Sequence, residues 1–132
     1  MVIDASALVA ILSGDPRAES MAAAIARDPV RLVSAYSVIE AGATLEAMKA
    51  QQAGRELDLL LHRIHADVVA LGSSQAELAR GAWRRYGRRR DPERLALGEC
   101  CAYALARESG EPLLTVSRAL GETDAKLVSF AE

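Results

Sequence analysis

Short apolar runs separated by longer segments of helical period most constrain how this 132-residue chain folds. The runs are Val2-Ile3, closed by Asp4; Leu32-Val33, closed by Ser34; Val68-Val69-Ala70-Leu71, closed by Gly72; Leu113-Leu114, continuing to Val116; and Leu127-Val128. Each is too short for a helix and most lack strict polar alternation, the pattern of strands covered on both faces. Between them Ala18, Met21, Ala22 and Ile25 recur at i, i+3, i+4 and i+7, as do Leu57, Leu60, Leu61 and Ile64. Further helices are predicted over 36–50, over 75–86 behind an N-cap pair Ser73-Ser74, and over 98–108, stopped by Gly110 before Pro112. Strand–helix alternation of this kind predicts a parallel sheet with helices on both faces, a three-layer α/β/α domain spanning residues 1–132. The length suits one domain and excludes a two-domain enzyme.

Composition narrows the functional classes. Hydrophobic residues at 51% and charged residues at 26% are ordinary for a globular chain and argue against disorder. Sixteen Lys and Arg against eighteen Asp and Glu give a net charge of −2, so any affinity for nucleic acid must come from a local basic patch. Aromatic residues, at 4%, are too scarce to build stacking platforms for single-stranded bases. The two cysteines, Cys100 and Cys101, are adjacent and read as core packing in a reducing cytoplasm. Asp4 interrupts the first apolar run and no basic leader precedes it, so no secretory signal or membrane span is expected.

Several signatures are absent. The chain has no Gly-rich nucleotide loop after a strand and no G-x-S-x-G elbow. His62 and His65 lack a nearby Cys or carboxylate at metal spacing and read as surface residues.

Acids remain. Asp4 stands where the first strand ends, the edge at which ligands gather in open α/β sheets, and it serves equally well as an N-cap. Glu40 shares a helical stripe with Tyr36, Ala43 and Ala47, which predicts an inward carboxylate that must be paired, protonated or bound to metal. Glu99 repeats the pattern with Ala102, Tyr103 and Ala106, in a first helical turn that favours an acid in any case. Asp124 reads as a turn or capping acid. Three acids from separated segments make a hard-oxygen pocket suited to Mg²⁺ or Mn²⁺, whose usual chemistry is phosphodiester hydrolysis. Seven arginines between 80 and 94, with Arg88, Arg89 and Arg90 at their centre, exceed what helix capping needs and fit a polyanionic substrate. The alternative for them is a solvated helix end.

Taken together, these residues resemble a known family. Met1-Val2-Ile3-Asp4-Ala5-Ser6-Ala7-Leu8, Leu32-Val33-Ser34-Ala35 with Glu40-Ala41, and Arg85-Tyr86-Gly87 with its arginine-rich loop are similar to VapC-type toxins of the PIN-domain ribonucleases. Gly98-Glu99-Cys100, Tyr103-Ala104-Leu105-Ala106 and Gly110-Glu111-Pro112-Leu113-Leu114 continue the likeness over nearly the whole chain. The resemblance implies a Mg²⁺- or Mn²⁺-dependent endoribonuclease toxin acting on structured RNA. It also implies inhibition by a cognate VapB-like antitoxin, a homodimer, and Asp4, Glu40 and Glu99 as catalytic metal ligands. The sequence departs from the family pattern at three places. Glu99 replaces the usual Asp, Ala96 replaces the usual Asn, and Ser117-Arg118-Ala119-Leu120 stands where the fourth acid is expected, while Asp124 matches a later Thr-Asp of relatives. These departures predict a weakened enzyme that Glu99→Asp with Arg118→Asp would strengthen. The alternative is a catalytically degenerate PIN domain kept as an antitoxin-binding or regulatory module; a non-nuclease regulatory α/β domain such as a receiver also places acids at strand ends.

Overall fold

The computed structural model describes residues 1–49 and 52–130. Four strands, β1 (Val2–Ile3), β2 (Leu32–Ser34), β3 (Asp67–Val69) and β4 (Leu113–Leu114), form one parallel sheet in the order β3-β2-β1-β4. Val2 pairs with both Leu32 and Leu113, so β1, only two residues long, is an interior strand. Parallel neighbours need helical crossovers. Among the described residues these are α1 (Ala5–Leu12) and α2 (Ala18–Arg27), α3 (Ala35–Lys49) and α4 (Gln52–Arg63), and α5 (Ser73–Tyr86) and α6 (Leu97–Ser109), while the short α7 (Arg118–Gly121) follows the last strand.

Side-chain alternation along the strands separates two cores. Ile3, Val33 and Leu114 point to one face and pack with Leu8, Met21, Ile25, Ala41, Leu45, Leu57 and Leu60, from α1 to α4. Val2 and Leu113 point to the other and pack with Ala82, Cys100, Tyr103, Leu105 and Leu120, from α5 to α7. The three-layer α/β/α arrangement follows.

Local expectations fared unevenly. Gly110 ends α6 with φ +73, a left-handed conformation that glycine adopts without steric cost. Ser73 and Ser74, however, lie inside α5; its N-cap is Gly72, which has no side chain to contribute, and the Ser74 hydroxyl donates to Glu108 instead. The run at 68–71 is not covered on both faces, because β3 is an edge strand and Val68 is 47% exposed. Leu127 forms only an isolated bridge to Leu113, so the last apolar run extends the sheet without becoming a strand. Ala50, the predicted end of the third helix, lies outside the described residues.

Candidate active site at the carboxyl edge of the sheet

The chain runs from β1 to β2 on one side, whereas β4 joins β1 on the other. The switch point of the sheet therefore lies between β1 and β4, where ligands bind in open α/β folds. Asp4 and Thr115 leave these two strands at that point.

Asp4 is only 2% exposed. Its Oδ1 accepts the Ala7 N–H at 3.0 Å and the Ser6 hydroxyl at 2.7 Å, and its Oδ2 accepts the Thr115 hydroxyl at 2.6 Å. The N-cap reading of Asp4 thus holds, since Oδ1 caps α1, while Oδ2 takes the hydroxyl of the residue that follows β4. A carboxylate has about four lone-pair sites, so an acceptor position on Oδ2 is left over. Burial pushes the Asp4 carboxyl up to about 6 against these three hydrogen bonds, and the charge of Glu99 adds to the rise.

Glu40 reaches the same place by a route the sequence misread. Tyr36, Ala43 and Ala47 are exposed, and the buried stripe of α3 is Ser37, Ala41 and Leu45. Glu40 lies beside that stripe, half-buried where α3 meets α6. Its carboxylate lies against Gly98, where a Cβ would come within 2.3 Å of Oε1. Among the described residues it accepts no hydrogen bond and makes no ion pair. Burial raises its pKa, and the charges of Asp4 and Glu99 raise it further.

Glu99 is the third residue of α6. Its Oε1 accepts the Ala96 N–H at 2.8 Å, which is half of a capping box that alanine cannot reciprocate. The Ser117 hydroxyl donates to its Oε2.

Asp4, Glu40 and Glu99 line one cavity of about 570 Å³, together with Arg88 and Asp15. Asp15 is already engaged, bridged to Arg17 through both carboxylate oxygens at 3.0 Å. A second cavity of about 550 Å³ shares Glu99 and Arg88 and adds Ser117, Arg94 and Arg118. The three acids are not drawn to a common point: among the described residues no His, Cys, Asp or Glu trio encloses an ion as it stands. Their chemistry nevertheless fits a hard divalent cation. The free position on Asp4, spare lone pairs on both Glu99 oxygens and the whole Glu40 carboxylate are oxygen donors whose mutual repulsion a cation would relieve.

Asp124 is elsewhere. It lines a separate cavity, accepts the Tyr103 hydroxyl, and pairs with Arg85 at 3.6 Å and Arg107 at 3.7 Å. It sits in the bend after α7, which bears out the turn reading, and it is not a fourth member of the acidic cavity. The arginine cluster also divides. Arg94 donates to the Tyr86 carbonyl at 3.3 Å and to that of Arg85, holding the loop before α6, and Arg85 stacks over Tyr86 at 4.8 Å. Arg88, Arg89 and Arg90 are exposed, Arg89 in a left-handed turn with its guanidinium on the Arg84 carbonyl, and only Arg88 of the three lines the acidic cavity. Cys100 and Cys101 are buried, and burial pushes the Cys100 thiol up to about 11, which suits packing rather than reactivity. His62 and His65 are exposed.

Sequence reasoning missed the hydroxyls. Ser6, Thr115 and Ser117 hold two of the three acids. The strand-end rule that singled out Asp4 applies equally to Thr115, directly after β4, and that signal was available.

The PIN-domain family model matches residues 1–126, and the chain belongs to that family. A relative from Mycolicibacterium smegmatis named Ribonuclease VapC is 48% identical over 128 residues, covering 97% of this chain and 99% of the relative. Within the family the chain is of the VapC toxin type. Two solved structures share the fold at low identity. Mycobacterium tuberculosis VapC20, described as a sarcin–ricin loop cleaving toxin, superposes with a TM-score of 0.74 at 18% identity over 96% of this chain and 97% of that one. A toxin–antitoxin complex from Klebsiella pneumoniae gives 0.74 at 16% identity, over 97% and 95%. Among the described residues no helix is long and apolar enough to cross a membrane.

Proposed function

We propose that this chain is a divalent-metal-dependent endoribonuclease toxin that hydrolyses phosphodiester bonds of structured RNA and is inhibited by a VapB-like antitoxin. One observation carries the reading: three carboxylates from separate segments share a cavity at the switch point, and one of them, Glu40, has no partner among the described residues. The names of the relatives support ribonuclease activity, and the Klebsiella complex supports an antitoxin partner. Mg²⁺ or Mn²⁺ bound by Asp4, Glu40 and Glu99 supplies charge neutralisation at the phosphoryl oxygen and a more acidic water.

The protein's own residues do the rest. Ser6, Thr115 and the Ala7 N–H hold Asp4 in place, whereas Glu40 keeps both carboxylate oxygens unpartnered among the described residues. Arg88, shared by both cavities, presents a guanidinium to an incoming phosphate. With Asp124 held apart, three carboxylates offer −3 against the +4 of two divalent ions, so the site holds one ion firmly and works below the strength of a four-acid site. The buried free cysteines support a reducing cytoplasm, and the exposed stripe of Tyr36, Ile39 and Ala43 on α3 supports a homodimer.

A melting curve with Mn²⁺ tests the reading. An ion that binds only the folded state at a hundredfold excess over its Kd adds about 2.7 kcal/mol, which raises Tm by several degrees. An unchanged Tm at millimolar Mn²⁺ supports the degenerate, binding-only domain instead.

The arginines give a separate expectation. Replacing Arg88, Arg89 and Arg90 with Gln should reduce the salt slope of RNA affinity by about two to three and change stability by less than about 1 kcal/mol. RNA filter binding across a salt series measures this. An unaltered slope would make these side chains a solvated loop.

A further inference from the structure

Glu99 is one methylene longer than the aspartate of the family pattern, and the structure uses the added length. One oxygen takes the Ala96 N–H at 2.8 Å; the other takes the Ser117 hydroxyl. Ser117 belongs to a three-residue strap at the end of β4. Its N–H donates to Thr115 Oγ1 at 2.9 Å, and Thr115 in turn donates to Asp4 Oδ2 at 2.6 Å. The strap therefore ties the carboxylates of positions 4 and 99 to each other, and it occupies the segment where the family pattern carries a fourth acid.

We propose that Ser117 is a positioning residue for this site, and that its hydroxyl and the extra methylene of Glu99 are a matched pair fixing the Glu99 carboxylate at the cavity wall. The proposal rests on the reading of the cavity as a divalent-metal site. Glu99 reaches back to the Ala96 N–H and at the same time forward to the Ser117 hydroxyl. An aspartate is too short by about an ångström to span both, and errors of that size at a site cost on the order of 100-fold. Shortening Glu99 alone should therefore weaken the site, the reverse of what the family pattern by itself suggests.

Mn²⁺ affinity by electron paramagnetic resonance, with hydrogen exchange of the Ala96 amide in the metal-free protein, tests the pairing. Ser117→Ala should weaken Mn²⁺ about 10- to 100-fold, as expected when the partner of a ligand is removed, and should speed Ala96 exchange. Ser117→Thr, which keeps the hydroxyl, should restore both. Glu99→Asp should also weaken Mn²⁺ while leaving the Ser117 cap of α7, an acceptor for Leu120 N–H at 3.3 Å, undisturbed. Ser117→Asp should weaken Mn²⁺ binding in the starting protein, where Glu99 loses its hydroxyl partner, but strengthen it in the Glu99→Asp background, a reversal of sign that marks the two positions as coupled. Unchanged Mn²⁺ affinity and unchanged Ala96 exchange in Ser117→Ala would overturn the proposal, as would a Glu99→Asp variant that binds Mn²⁺ like the starting protein. If the starting protein binds no Mn²⁺, the metal reading fails by itself, and Ala96 exchange decides the pairing: faster in Ser117→Ala supports it, unchanged overturns it.

Discussion

Glu40→Gln is expected to lower RNA cleavage by about a thousandfold while leaving the fold intact. The carboxylate accepts no hydrogen bond among the described residues, and burial and two neighbouring charges raise its pKa. Its ionised form is thus a cost to the folded protein, and neutralising it should leave stability unchanged or slightly higher. The effect on chemistry is different. Charge stabilisation by a bound divalent ion amounts to several kcal/mol, and losing about 4 kcal/mol of it corresponds to about a thousandfold in rate. Gly98→Ala reaches the same group from the other side. Its Cβ would come within 2.3 Å of Glu40 Oε1, the far end of a flexible side chain that can swing away at small cost to folding. Both variants should therefore melt near the starting protein and cleave far more slowly, a combination that a purely structural Glu40 would not produce.

The second large effect is on stability against pH. Asp4 titrates at about 6 in the folded protein and from an ordinary value of 3.8 when unfolded. Because the folded pKa is the higher, the contribution of Asp4 is fully present below about pH 3.8 and is lost as pH rises through about 6. A difference of about two pH units corresponds to about 3 kcal/mol. Glu40 shifts in the same direction. Asp15 and Asp124, whose values are lowered by the Arg17 side chain and the Tyr103 hydroxyl respectively, act oppositely, and their contributions are lost as pH falls. Subtracting the urea-denaturation curve of Asp4→Asn from that of the starting protein isolates the Asp4 contribution. The difference should fall between about pH 4 and 6 without metal, and Mn²⁺ at pH 7 should recover most of it. A flat difference curve would mean that Asp4 is not held as a buried, partly neutralised acid.

What the sequence disclosed depended on which physical signal each residue carried. Asp4 was legible because a strand end is marked by a change from apolar to polar, and the structure places it where it both caps α1 and lines the acidic cavity. Glu99 was legible because its stripe of Ala102, Tyr103 and Ala106 is buried. Glu40 was found through the wrong stripe. Small residues such as Ala43 and Ala47 are compatible with either a buried or an exposed face, so apolar spacing on α3 did not fix its orientation; packing of α3 against Gly98 did. The arginine cluster was visible as charge, but which guanidiniums face solvent and which hold loop carbonyls depends on the turn at Arg89 and the Gly87–Leu95 bridge, features without local signature. Likewise Asp124 could not be excluded from the site by spacing, because Tyr103, Arg85 and Arg107 meet it only after α5 and α6 have packed together.

Metal-dependent RNA cleavage by the acidic cavity is the central claim, and a side-by-side cleavage assay tests it most directly. The purified chain and its Glu40→Gln variant, freed of antitoxin, are incubated with an end-labelled structured RNA in Mn²⁺ and again with excess chelator. The account predicts discrete internal cleavage products for the starting protein in Mn²⁺ only, with products reduced about a thousandfold for Glu40→Gln. Equal cleavage by both proteins, or cleavage by the starting protein that persists in chelator, would contradict it.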